Sequence, residues 1–259
     1  MKLPRPDAAF HWRHEPWGAA LGCRGLDAHA QHLFTSRQLA LPDPESWRQV
    51  LASVGATPER LMRVKQVHGN NVRLLARGHV LQGASDVRPD GDAIASNEAG
   101  LVLAVTVADC VPILIVDPVR GAAAAVHAGW RGTCARVAAA TVETMSQRFD
   151  SEPADLIAAI GPSVGPDDYA VGESVVNAFE KAGHDARDLD RWFVRTSAKP
   201  HLDLWRANSD QMAASGVRSD HIYICGLSTV AYPDVFESFR VRGERAGRMA
   251  ALVVVPPPG

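Results

Sequence analysis

The stretch LVLAVTVADCVPILIVD, residues 101–117, decides the fold class of this 259-residue chain. Two largely apolar runs flank the tripeptide ADC at residues 108–110, and a third run, AAAAVH at residues 122–127, follows a turn at Gly121. Continuous rather than alternating apolar runs are typical of strands that are buried on both faces. We therefore expect these strands inside the protein, with the backbone bending at residues 108–110.

Helical patterns alternate with the strand patterns. We predict a helix that begins at Pro44 behind the N-cap Asp43, and further helices within residues 133–149, 172–183 and 202–216. LIAAIG, HIYIC and MAALVVV read as additional strands. Strands alternating with helices indicate a layered α/β fold, and the chain length suits one large domain over residues 1–259. The first forty residues have poor periodicity, so we expect irregular edge structure there.

The composition favours a small-molecule partner. Hydrophobic residues make up 46% and charged residues 22%, and the formal net charge of −2 gives no basic surface for nucleic acid or an anionic membrane. The longest apolar stretch, residues 100–116, is interrupted by Asp109 and Pro112 and falls short of the ~20 residues that span a bilayer. We expect neither nucleic acid nor membrane as a partner.

The cysteines are scattered. Cys23, Cys110, Cys134 and Cys225 form no CxxC motif and no close pair, which is typical of reduced thiols in the cytosol. The first residues, MKLPRPDAAFHWRHEPW, lack an apolar core of signal-peptide length. The expected location is therefore the cytoplasm.

Three candidate metal ligands each follow a short apolar run: His68 in KQVHGNN, Cys110 in VADCVP and His127 in VHAGWRG. Two imidazoles and one thiolate suit zinc, and three protein ligands leave a fourth position open for water or substrate. The spacing matches no compact finger motif. These residues can meet only if the fold brings three strand ends together.

Each candidate also has an ordinary interpretation. Cys110 could be a small buried hydrophobe, although its place at a chain bend favours a thiolate that acts as ligand or nucleophile. Asp109 could orient a ligand imidazole or accept a proton, and it could equally be a turn residue that caps its neighbours. His68 alone could be a hydrogen-bonded loop histidine.

The segment after His127 suggests an anion site. Gly129, Trp130 and Arg131 lead into a predicted helix, whose first N–H groups could hold phosphate with a bidentate grip from Arg131. The segment is neither GxGxxG nor a P-loop. A helix start with a solvated arginine is the alternative.

Together these motifs resemble a known family. QVHGNNV, DGDAIAS, TVADCVPILIVDP, VHAGWRGT, IGPSVGPDDYAVG and FESFRVRGERAGRMAAL occur in the order seen in the laccase-domain proteins, and the resemblance covers residues 61–255. That family is described variously as multicopper polyphenol oxidoreductases, purine nucleoside phosphorylases and the peptidoglycan editing factor. Two positions depart from it: Asp168 precedes Tyr169 where CY is usual, and Ser228 precedes Thr229 where CT is usual.

The resemblance implies a single three-layer α/β/α sandwich with a mixed sheet. It implies His68, Cys110 and His127 as zinc ligands. We also expect these three residues to be catalytic, and from the residues themselves we expect Arg131, Gly129 and Asp109 to contact substrate. The implied activity is phosphorolysis of adenosine, inosine and methylthioadenosine to free base and ribose 1-phosphate, with adenosine deamination as a side activity. The expected partners are a purine nucleoside and phosphate, and the expected state is a monomer or a weak homodimer.

Three other functions stay open at this point. Copper (Cu²⁺) in place of zinc (Zn²⁺) could support slow polyphenol oxidation, but a multicopper centre usually needs paired His-x-His segments, and this chain has ten histidines and none so arranged. Cys110 and His127 could act without metal as a hydrolase in peptidoglycan-precursor editing. A non-enzymatic, metal-stabilised binding module is the third.

Overall fold

Two six-stranded sheets form the centre of the computed structural model, which describes residues 2–39, 41, 43–75, 88–195 and 199–259. The strands are β1 (Phe10–Glu15), β2 (Gly18–Cys23), β3 (His32–Thr35), β4 (Leu61–Arg63), β5 (Val72–Leu75), β6 (Ala93–Ser96), β7 (Val102–Val107), β8 (Val111–Asp117), β9 (Ala122–Ala128), β10 (Ile157–Ile160), β11 (Phe193–Arg195), β12 (Pro200–Leu202), β13 (Ile222–Ile224) and β14 (Met249–Val254). The helices are α1 (Arg24–Asp27), α2 (Pro44–Ala52), α3 (Trp130–Cys134), α4 (Val137–Phe149), α5 (Glu173–Lys181), α6 (Ala186–Trp192), α7 (Leu204–Ala214) and α8 (Phe239–Arg242).

Both main sheets are mixed. The first has the strand order β1-β2-β3-β14-β7-β4 and the second has the order β13-β10-β8-β9-β6-β5. In the first, β7 pairs antiparallel with β14 and parallel with β4. In the second, β8 lies between β9 and β10, antiparallel to both. The three strands with the longest apolar runs, β7, β8 and β9, are thus interior strands, as their sequences predict.

Three layers of apolar contact hold the sheets and helices together. Leu103 of β7 and Leu114 of β8 belong to the core between the two sheets. The other face of the second sheet packs against α4, α5 and α7, while α2 covers the first sheet through Trp47, Val50 and Leu51. Burying both faces of these strands removes apolar surface from water, which stabilises the folded state by about 25 cal/mol for each Å² buried.

The α/β class predicted from the sequence is confirmed. The layering differs in one respect, because the strands divide between two mixed sheets where a single sheet was expected. The chain crosses from one sheet to the other between β7 and β8, at residues 108–110. Apolar periodicity identifies both strands as buried but carries no information on which strands pair.

The N-terminal expectation of irregular structure over residues 1–40 is corrected. Three strands, β1 to β3, extend the first sheet here. The β1–β2 hairpin turns at Pro16 and Trp17, and Gly18, the first residue of β2, has a φ of +139°. The sequence pattern is weak because β1 is an edge strand: its side chains are mostly half-exposed, so aromatic and charged residues mix along FHWRHE.

The predicted helices are present with one subdivision. Asp43 caps α2 by accepting a hydrogen bond from the Ser46 N–H at 2.9 Å, and Pro44 is its first residue. The single helix expected within residues 133–149 is interrupted at Arg136, whose left-handed backbone (φ 60°) separates α3 from α4. None of the helices in the described part of the chain is long and apolar enough to cross a membrane.

Candidate metal centre

The three predicted ligands converge at one place. The ligand atoms of His68, Cys110 and His127 all lie within 4.8 Å of one another. The two imidazole rings stand edge to face, with centroids 4.8 Å apart and an interplanar angle of 82°. The fold therefore brings together three side chains that are widely separated in sequence.

Strand register explains two of the three positions. Antiparallel pairing of β8 with β9 puts Val111, the first residue of β8, opposite Ala128, the last residue of β9. Cys110, directly before β8, is therefore brought beside the end of β9, where His127 lies. His68 reaches the same point from the loop between β4 and β5.

Asp92 connects two of the ligands, His68 and His127. This fully buried carboxylate precedes β6, and β6 pairs with β9. Its Oδ1 lies 2.9 Å from Nδ1 of His127 and accepts the backbone N–H of His68 at 2.9 Å, while its Oδ2 accepts the N–H of Gly69 at 2.6 Å. Since Nδ1 of His127 is taken by the carboxylate, Nε2 is left to face the ligand cluster.

The sequence interpretation did not assign Asp92 a role. The available signal was the DGD turn directly before a buried strand. Burial alone would raise the pKa of this carboxyl, but hydrogen bonds from His127 and from the Gly69 and His68 N–H groups outweigh it and lower the pKa. Asp92 is therefore a buried anion that fixes both histidines.

Asp109 acts elsewhere. Its Oδ1 accepts a hydrogen bond from the Thr229 hydroxyl at 2.6 Å, and its Oδ2 accepts the backbone N–H of Arg240 at 2.6 Å. These contacts match neither the orientation of a ligand imidazole, which belongs to Asp92, nor the capping of sequence neighbours, because the two donors are 120 and 131 residues away in sequence. A direct substrate contact, as expected from the sequence, would have to compete with these two protein donors.

Backbone strain is concentrated at the site. His68 (φ 62°) and Asp109 (φ 83°) are two of the four non-glycine residues with positive φ in the described part of the chain. Such conformations cost roughly 1–3 kcal/mol each and persist only where surrounding contacts impose them. For His68 the imposing contacts are the bonds that Asp92 accepts from residues 68 and 69.

The charges of the cluster depend on one another. Burial alone raises the pKa of the Cys110 thiol, but hydrogen bonds with His127 and His68 outweigh it and lower the pKa to about 6. Burial likewise lowers the pKa of His127, but Asp92 and Cys110 outweigh it and raise the pKa to about 9. Without metal, the pair is therefore a thiolate and an imidazolium at neutral pH.

This charge state predicts selective alkylation. In metal-free protein at pH 7, iodoacetamide should label Cys110 first, because the thiolate is the reactive form. Cys23 and Cys225 are buried, with the pKa raised by burial to about 11 and about 12, and burial also raises the pKa of Cys134. Peptide mass spectrometry measures the labelling, and bound zinc should protect Cys110. Equal labelling of the cysteines, or no protection, would contradict the assignment.

Gly129, an expected substrate contact, lies against the ligands themselves. A Cβ built on Gly129 would be 2.9 Å from Sγ of Cys110 and 3.3 Å from Cδ2 of His68. Any side chain here would therefore intrude between two ligands. The absence of a side chain at Gly129 therefore leaves room for the ligand side chains.

The Gly129→Ala variant should bind zinc roughly 10- to 100-fold more weakly, since forcing a methyl group into filled space costs about 1–3 kcal/mol. Competition with a chromophoric chelator measures the affinity. Gly172→Ala is the matched control, because the nearest atom to its Cβ is 3.6 Å away and its φ is −86°. Equal zinc affinity of the two variants would contradict the packing argument.

Several other residues that the sequence singled out also have defined contacts. The Arg131 guanidinium lies over the Trp130 ring, with Cζ 4.4 Å from its centroid. Burial and the charge of Cys110 raise the pKa of Tyr169 to about 12, so its phenol stays protonated at neutral pH. The two positions that depart from the family pattern are joined, because the Ser228 hydroxyl donates to Oδ2 of Asp168 at 2.5 Å.

Comparisons with known proteins identify the family of this chain. The family described as multi-copper polyphenol oxidoreductase laccase matches residues 44–256. A protein from Bacteroides thetaiotaomicron named purine nucleoside phosphorylase is 35% identical over 212 residues, covering 80% of this chain and 77% of its own length. A protein from an unknown prokaryotic organism named adenosine deaminase RL5 is 43% identical over 160 residues, covering 61% of this chain and 59% of its own length.

The solved structure of YlmD from Geobacillus stearothermophilus has the same fold. It superposes with a TM-score of 0.82 at 28% identity and covers 95% of this chain and 98% of that one. The resemblance inferred from the motifs is thereby confirmed, and this chain belongs to the multi-copper polyphenol oxidoreductase laccase family.

Proposed function

We propose that this chain is a zinc-dependent purine nucleoside phosphorylase. It converts adenosine, inosine and methylthioadenosine to the free base and ribose 1-phosphate, and it deaminates adenosine as a side activity. The convergence of His68, Cys110 and His127 on one point carries the proposal. The names of the relatives support the same class of chemistry.

The donor set fits zinc. Bonds of about 2.0 Å to nitrogen and 2.3 Å to sulfur in a tetrahedron require ligand atoms roughly 3.3–3.5 Å apart. The ligand atoms lie within 4.8 Å of one another, and the Nδ1 contact of His127 with Asp92 leaves Nε2 available. When bound, zinc with one open position supplies a Lewis acid and acidifies a bound water.

In phosphorolysis, a phosphate oxygen forms a bond to C1′ of the ribose as the bond from C1′ to the purine nitrogen breaks. The electron pair goes to the purine nitrogen, which takes up a proton. Arg131 is proposed to hold the phosphate by bidentate hydrogen bonds, and the protonated Tyr169 hydroxyl is a donor for a developing charge. Asp92 keeps His127 oriented throughout.

Deamination of adenosine replaces the amino group at C6 by the oxygen of water and releases ammonia. It needs an activated water and no phosphate. The two activities are therefore separable by their dependence on phosphate.

The test is to incubate zinc-loaded protein with adenosine, with and without inorganic phosphate, and to separate the products by chromatography. We expect adenine and ribose 1-phosphate only when phosphate is present, and ammonia in both conditions. Inosine should accumulate without phosphate and should be cleaved further to hypoxanthine when phosphate is present. Absence of adenine and ribose 1-phosphate in the presence of phosphate and zinc would contradict the proposed function.

A second candidate function has one specific observation in its favour. Asp92, His127 and Cys110 are arranged in the order of a carboxylate–imidazole–thiolate hydrolase. This candidate, which would suit peptidoglycan-precursor editing, predicts inhibition by alkylation that chelators do not mimic. The oxidase alternative is less well supported, because the described residues contain a single histidine and cysteine cluster, whereas a multicopper centre needs several.

A further inference from the structure

Two exposed arginines near the ligands, Arg131 and Arg240, form no salt bridge with any described residue. Each guanidinium lies over an aromatic ring: Arg131 over Trp130 at 4.4 Å and Arg240 over Tyr169 at 4.8 Å. Contact with a ring face leaves the N–H edges of a guanidinium free to donate.

Separate contacts tie the segments of both arginines to the neighbourhood of Cys110. The backbone N–H of Arg240 is fixed at 2.6 Å from the carboxylate of Asp109, the residue before Cys110. Arg131 follows two residues after Gly129, which abuts the Cys110 sulfur. The Arg240 guanidinium lies over the Tyr169 ring, and Arg131, Arg240 and Cys110 are all within electrostatic range of the Tyr169 phenol.

Asp109 is itself held in place. Its other oxygen accepts the Thr229 hydroxyl at 2.6 Å, and its backbone has a positive φ of 83°. Two short hydrogen bonds and a constrained backbone fix the position of the Asp109 carboxylate. It ties the segment of Arg240, which is 131 residues away in sequence, to the bend that carries Cys110.

We infer that Arg131 and Arg240 together form a site for a tetrahedral oxyanion beside the metal centre, with Asp109 as the positioning residue for Arg240. The ligand is inorganic phosphate and the phosphate group of the sugar product. Two guanidinium forks match the oxygens of such an anion bidentately. This inference rests on the proposed function, since it names the residues that hold the phosphate co-substrate, and Arg240 has no role in the sequence interpretation.

The experiment measures binding of inorganic phosphate to zinc-loaded protein by titration calorimetry without nucleoside, and the KM for phosphate in the presence of adenosine. Arg131→Gln and Arg240→Gln should each raise the phosphate Kd and KM roughly 10- to 100-fold, as expected for loss of hydrogen bonds to a charged group. The KM for adenosine should change less than about twofold. Arg245→Gln is the matched control, because Arg245 is an exposed arginine in the same segment.

The positioning role of Asp109 has its own readout. Asp109→Asn keeps one oxygen but loses the charge, so the phosphate KM should rise while zinc affinity stays at the wild-type value. A parallel loss of zinc affinity would assign Asp109 to the metal centre and overturn its role.

Failure of the inference and failure of the proposed function are distinguishable. Phosphate binding that depends on Arg131 and Arg240 without any nucleoside turnover would support the anion site and contradict the function. Phosphorolysis with an unchanged phosphate KM in Arg240→Gln would support the function and overturn the anion site.

Discussion

Cys110→Ala is expected to abolish nucleoside phosphorolysis and to weaken zinc binding by on the order of 10³-fold. The variant removes one of three protein ligands, and apparent zinc affinities of about 10–16 kcal/mol in fully ligated sites give each ligand a share of several kcal/mol. No other described cysteine, histidine or acid joins the cluster to replace it. Release of ribose 1-phosphate and a chelator competition assay measure the two effects.

Cys134→Ala is the control for this variant. Cys134 is a partly exposed thiol outside the cluster, and its loss should leave both zinc affinity and turnover close to wild type. Wild-type turnover in Cys110→Ala would remove the three-ligand cluster from catalysis. Loss of turnover with unchanged zinc affinity would instead favour the thiolate hydrolase.

Asp92→Asn is expected to weaken zinc binding roughly 10- to 100-fold, as found when the acceptor of a ligand histidine is removed. The neutral amide of asparagine no longer compensates the positive charge of the His127 imidazolium. Its NH₂ group is a donor, so it cannot accept one of the N–H hydrogen bonds that the carboxylate accepts. Because Asp92 is fully buried, the free energy of unfolding should also fall by about 2–4 kcal/mol. Chelator competition and urea unfolding of the metal-free protein measure the two quantities.

The control is Asp90→Asn, two residues earlier. Asp90 is exposed and lies 3.4 Å from Lys65 at the surface, where an ion pair contributes little. Its substitution should leave zinc affinity and unfolding unchanged. Equal effects of the two variants would contradict the special position of Asp92.

The pH dependence of the Asp92 contribution follows from its lowered pKa. A carboxyl whose pKa is lowered in the folded state contributes its full stabilisation at pH values above its unfolded pKa, which is 3.8 for Asp92. That contribution is lost as the pH falls from 3.8 through the lower pKa of the folded state. Metal-free wild type should therefore lose more stability than Asp92→Asn when the pH is lowered below about 4.

The sequence predicts the interior strands well because burial on both faces leaves a direct record in composition. Strands β7, β8 and β9 all lie where the apolar runs are. It does not predict that β7 and β8 belong to different sheets, since pairing depends on contacts between distant residues. It also misses β1, whose mixed side chains reflect the exposure of an edge strand.

The sequence likewise identifies some residues of the candidate site and misses others. His68, Cys110 and His127 are identifiable because each carries a reactive side chain at a strand end. Asp92 and Arg240 are not, because their roles depend on the register of β6 against β9 and on a hydrogen bond across 131 residues of sequence. The backbone N–H bonds that hold His68 leave no pattern in the sequence at all.

X-ray absorption at the zinc edge of the metal-loaded protein tests the central claim most directly. One sulfur at about 2.3 Å and two imidazole nitrogens at about 2.0 Å are expected, with a light atom in the remaining position. The sulfur signal should vanish in Cys110→Ala. A zinc coordination shell without sulfur, or with two or more sulfur atoms, would contradict ligation by His68, Cys110 and His127.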